Sequence, residues 1–98
     1  MSAVLAAVIK LAPDVGPRRR GWRCTCEFEE TVAEDGERLL GVEITPVQSE
    51  QIVPGEEMEV ELRLWAPLAR PPEPRTTVRF YEGALLVASG RVSRVVRQ

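Results

Sequence analysis

Three features of this sequence predict an all-β domain. Apolar and polar residues alternate with period two in several segments, stretches rich in Pro, Gly and acids separate those segments, and no segment carries a convincing helical period. Six strand candidates joined by unequal connections suit a closed barrel or a sandwich, and closure also removes exposed strand edges. At 98 residues the chain has room for one hydrophobic core, so residues 1–98 read as a single β-barrel domain.

The first candidate, "AVLAAVIKL", is rich in Ala and fits a short helix by propensity, but Val4, Val8 and Ile9 favour a strand. The second, "WRCTCEFE", is clearer. Trp22, Cys24, Cys26 and Phe28 alternate with Arg23, Thr25, Glu27 and Glu29, as in a strand with one buried and one wet face. "LLGVEIT" puts Leu40, Val42 and Ile44 on one face. "EMEVELRLW" is the cleanest, with Met58, Val60, Leu62 and Leu64 inward and Glu59, Glu61 and Arg63 outward. "TTVRFYE" sets Val78 and Phe80 against Thr77, Arg79 and Tyr81, and the chain resumes after Gly83 as "LLVASGRVSRVV". There Gly90 marks a bulge or bend, and Arg91, Arg94 and Arg97 follow. Four prolines between Pro67 and Arg75 make a stiff connection that cannot join a central ladder.

Composition excludes several chemistries. Without histidine there is neither the usual general base near neutral pH nor the commonest metal ligand. Cys24 and Cys26, two apart in a strand, share a face and cannot bridge each other, so they read as small buried apolar residues. No cofactor or metal is expected, and the chain is expected not to be an enzyme. No apolar run approaches the about 20 residues that span a bilayer. The N-terminal apolar run has no basic residue before it and ends at Lys10, so a cytoplasmic location is expected rather than export. Charge is segregated: residues 27–61 hold twelve acids and one base, the flanks twelve bases and three acids. Neighbouring strands either interleave these charges or separate an acidic from a basic face, and interleaving is the expectation.

"IVPGEEMEVELRLWAPLA" followed by "VRFYEGALLVASGRVSRVV" resembles the C-terminal β-barrel domain of elongation factor Tu. The shared features are a strand entered from a Pro-Gly-acid turn, a long strand running to a proline, and a Glu-Gly turn before a Val-x-x-Gly-x-Val strand. The resemblance extends over almost the whole chain and implies a six-stranded antiparallel Greek-key barrel. The phosphate-binding Gly-x-x-x-x-Gly-Lys-Ser/Thr run is missing, so nucleotide hydrolysis is not implied. In the full-length factor this domain helps to hold the stem of aminoacyl-tRNA, and Glu82 and Gly83 match the tRNA-contacting edge by position. Against tRNA stands the acidic loop "EETVAEDGE", since acids repel phosphates.

Two groups of residues are candidate binding sites. Arg18, Arg19 and Arg20, followed by Trp22, offer phosphate contacts and a stacking surface, with Arg75, Arg79, Tyr81, Glu82 and Gly83 extending that RNA- or partner-binding patch. The alternative has the arginines solvated, Trp22 inside the barrel, and Arg75 and Arg79 neutralising acids across the sheet. Trp65 breaks the inward alternation and points outward or lies at the strand end, where with Pro67 and Leu68 it forms a protein-binding anchor unless the Pro-rich connection covers it. The expected function is a noncatalytic protein interaction module. Runners-up are a tRNA- or RNA-binding module and a decoy of the elongation factor with an immunity or regulatory role.

Overall fold

The computed structural model describes residues 3–97. Six strands close an antiparallel barrel: β1 (Val4–Leu11), β3 (Trp22–Phe28), β4 (Leu40–Pro46), β6 (Glu57–Leu64), β7 (Thr77–Glu82) and β8 (Leu85–Arg97). Around the wall the order is β1-β6-β4-β3-β7-β8. Two short strands, β2 (Arg18–Arg19) and β5 (Gln51–Ile52), pair as a separate ribbon. The described residues contain no helix, and hence none long and apolar enough to cross a membrane.

Each strand predicted from period two is present, and β1 takes the extended form that Val4, Val8 and Ile9 favour. The inward set forms one core. Leu5, Ile9, Leu11, Val42, Ile44, Ile52, Val60, Leu62, Leu64, Val78, Phe80 and Val87 are all fully buried there. Two connections cross between strands on opposite sides of the wall. Residues 12–21 carry the chain from β1 to β3 over one end, here the upper, and residues 65–76 carry it from β6 to β7 under the other. The lower crossover is laced to the loop of residues 29–39. Ala69 N–H donates to Val32 O (2.9 Å), Glu34 N–H to Pro67 O (2.8 Å), and Thr31 Oγ1 to Arg70 O (3.0 Å). The Glu30 carboxylate accepts from Thr76 Oγ1 and from the Glu73 N–H, and these two bonds, the hydroxyl's foremost, lower its pKa.

β8 is long because it pairs with β7 through its first half and with β1 through most of its length. No register shift falls at Gly90. The shifts leave Val87, Ser93 and Val96 as the extra residues, on either side of it. Gly90 is needed for a different reason, the close approach of β1: a Cβ there would overlap the Val8 carbonyl oxygen and sit 2.7 Å from Ile9 Cα. Both obstacles are backbone, which cannot rotate away. Gly90→Ala is therefore expected to lower unfolding stability by about 2–3 kcal/mol, checked as a fall in the urea midpoint with little change in slope.

Candidate functional site

At the upper end the hairpin of β7 and β8 turns through Gly83 and Ala84. Gly83 has φ +62° and is the only one of the two with positive φ, the signature of a II′ turn that matches strand twist. Glu82, just before the turn, is bonded within the chain. Its carboxylate takes a two-point bond from Arg18 (Nε to Oε2, 2.9 Å; Nη2 to Oε1, 2.7 Å) and a third from the indole N–H of Trp22 (2.8 Å). The Arg18 guanidinium also lies 5.6 Å from the centre of the Trp22 ring, and that ring packs near Phe80 in the core. Hydrogen bonding by Arg18, and then by Trp22, holds the Glu82 carboxyl below its ordinary pKa, while Glu82 raises that of Arg18. Trp22 is thus a core residue with its one polar atom satisfied.

The three-arginine run separates in space. Arg18 is held by Glu82, and Arg19 is exposed on β2. Arg20 donates to Pro46 O at 3.0 Å and approaches Glu50 at 3.6 Å. Arg75 lies at the lower end, before β7, with φ +74° and its N–H donated to Val92 O. Arg79 stands on the outer face of β7 between Glu27 of β3 and Ser89 of β8, where a base faces an acid across the sheet. Interleaving of this kind recurs along the wall, with Arg38 on Glu27 (2.8 Å) and Arg23 near Glu43 (3.9 Å).

Trp65 is 54% exposed. The Pro-rich crossover does not cover it: Leu68 turns in to pack against the core beside Ala33, and Pro67 is exposed. The ring lies instead on the backbone of Gly41, in the neighbouring strand β4. A Cβ at Gly41 would overlap Cε3 of the indole, and the Trp65 N–H bonds to Gly41 O at 3.0 Å. The Arg23 guanidinium also approaches to 5.7 Å from the ring centre. One outward-facing row therefore runs Tyr81, Thr25, Gly41, Trp65 across β7, β3, β4 and β6, in consecutive cross-strand register. Two candidates far apart in sequence, Tyr81 and Trp65, end up at the two ends of one row. Gly41 was not singled out from sequence, although a glycine at an outward strand position is a recognised sign that another group packs closely there.

Both thiols are free. Burial pushes Cys24 up to about 12 and Cys26 further upward, so neither is a nucleophile near neutral pH. Among the described residues no group of three or more Cys, Asp or Glu side chains is arranged to hold a metal ion. A scan of the chain against protein-family models gives no match, and neither does a search of curated proteins.

Two measurements check this description. Glu82→Gln removes the charge-assisted part of the clamp, which solvent screening keeps to about 1 kcal/mol near pH 7. Because the folded carboxyl has the lowered pKa, its contribution is present above the unfolded value and is lost as pH falls through the folded one. The gap between wild type and variant, followed by denaturation across pH, is full at pH 6–7 and closes below about pH 4. For the thiols, an aromatic disulfide reagent at neutral pH is expected to react at least about tenfold more slowly with native than with denatured protein.

Proposed function

We propose that this chain is a noncatalytic protein interaction module that docks through the barrel face centred on Trp65. The observation that carries the proposal is the seating of the indole. It is more than half exposed, yet it rests on a glycine backbone with a guanidinium against it, so its position is set before any partner arrives. A large aromatic surface held this way loses little freedom on binding, which is what makes tryptophan effective as an interface anchor. Arg23, Thr25 and Tyr81 supply the polar surround.

The reactive groups support binding rather than chemistry. The thiols are held protonated by burial, and Glu82 is held ionised by Arg18 and Trp22. Glu57, Glu59 and Glu61 stand at alternate positions on the open face of β6, not across a cleft. The RNA reading loses support where Arg18 and Trp22 are both engaged by Glu82. The resemblance to the C-terminal barrel of elongation factor Tu bears on which partners to try first: those that contact this domain of the factor.

The test compares wild type with Trp65→Ala and Gly41→Ala. Trp65→Ala is expected to keep the fold and weaken partner capture by about tenfold or more. Gly41→Ala leaves the indole in place chemically but unseats it, so it is expected to weaken capture as well, with redder and more quenchable Trp65 emission in a Trp22→Phe background. Capture by both variants at wild-type strength would overturn the proposal. So would a protein that binds tRNA at low salt through a surface unaffected by either change.

A further inference from the structure

The adjoining side of the barrel, which shares β6 with the Trp65 row, carries a second arrangement. β1 runs between β6 and β8; its outward Lys10 is exposed between Glu57 and Ser89, and its other outward residues, Val4, Ala6 and Val8, are small and apolar, with Val4 buried. In register beside them stand Arg63, Glu61 and Glu59 on β6, and Arg97, Arg94 and Arg91 on β8. Two carboxylates, with Arg63 beyond them, thus line one side of β1 and three guanidiniums the other, about 10 Å away at the usual strand spacing.

The arginine stripe is not what period two would produce. Residues 91, 94 and 97 are three apart, so strict alternation would turn Arg94 into the core. Register shifts that leave Ser93 and Val96 as extra residues return all three to the outer face, while Val92 and Val95 pack inward. Arg91 approaches Glu57 at 3.9 Å, but Arg94, Glu59 and Glu61 form no ion pair with any described residue. Glu61 and Arg94 flank the same Ala6 and remain apart.

We infer that the β6–β1–β8 face is a self-association surface, on which a second copy of this chain docks about a two-fold axis parallel to β1. Such an axis exchanges left and right while keeping each row level. It sets Glu61 opposite Arg94 of the second copy and Glu59 opposite Arg91, each contact occurring twice by symmetry. The row of Val4 sets Arg63 against Arg97, and the row of Lys10 sets that lysine against its own copy on the axis, so four attractive juxtapositions stand against two between arginines and one between lysines. A two-fold axis across the strands would instead oppose each stripe to itself, so the three arginines of β8 would meet three arginines. A polyanion fits less well, because the stripe of acids runs alongside the arginines and would repel its phosphates. A closed barrel also leaves no free strand edge for pairing, so association uses a face. Three strands and four rows make a patch smaller than the about 800 Å² per partner of a standard interface, and the association is weak and salt-sensitive.

Sedimentation velocity on the full chain, from micromolar to about millimolar concentration, tests this. Wild type is expected to dimerise reversibly at 50 mM NaCl, with a dissociation constant at least about tenfold weaker at 500 mM. Two charge-reversed proteins separate charge pairing from non-specific sticking. In the two rows of Ala6 and Val8, Glu59→Arg/Glu61→Arg is basic on both sides and Arg91→Glu/Arg94→Glu acidic on both sides. Each is expected to be monomeric alone, and the two to associate when mixed. Mixing also guards against misfolding, since only folded partners form the heterodimer. Wild type that stays monomeric at millimolar concentration in low salt would overturn the inference. So would variants that self-associate as wild type does, or a mixture that stays monomeric.

Discussion

Barrel closure rests on the approach of β8 to β1 at Gly90. β1 is the strand that joins the two ends of the sheet, pairing with β6 on one side and β8 on the other, and its partners come from the middle and the end of the chain. The closure needs a position where the backbone of β1 comes nearer than any side chain permits, and a glycine meets that need. Once the ladder closes, the inward residues of all six strands share one core and no edge is left to be covered.

Closure also determines what each face can present. Two crossovers pass between opposite strands, so each end of the barrel is covered by polar connections tied to one another by specific bonds. At the upper end the bond is between Glu82, Arg18 and Trp22, which fastens the last hairpin to the loop leaving β1. At the lower end it is Glu30 with Thr76 and the Glu73 N–H. With the ends occupied in this way, the walls carry the exposed surfaces. One wall presents Trp65 on Gly41 with Tyr81 in the same row, and the adjoining wall, which shares β6, presents charged stripes beside β1.

Period two was sufficient to place the wall strands and, for β3, β4, β6 and β7, to say which side faces the core, because burial of one face leaves its mark at every second residue. It also identified Trp65 as outward-facing, since Leu62 and Leu64 take the inward positions before it. The short β2–β5 ribbon was not legible: two residues per strand are too few for a period, and Arg18-Arg19 carries no strand preference beyond its context. The bulges of β8 were equally hidden, since an alternation pattern assumes a constant register and Val92-Ser93-Arg94-Val95 breaks it twice in the pairing with β1.

Sequence alone determined the all-β class, the inward faces of β3, β4, β6 and β7, the absence of histidine chemistry and the break in inward alternation at Trp65, because each follows from local pattern or composition. Tertiary structure decided everything that depends on residues meeting across the barrel. Glu82 and Arg18, 64 positions apart, became a clamp. Gly41 became the seat of Trp65, and three arginines at a spacing of three became one stripe. Such meetings are governed by strand order and register, which arise from closing the whole sheet at once and leave no signature in any short stretch of the chain.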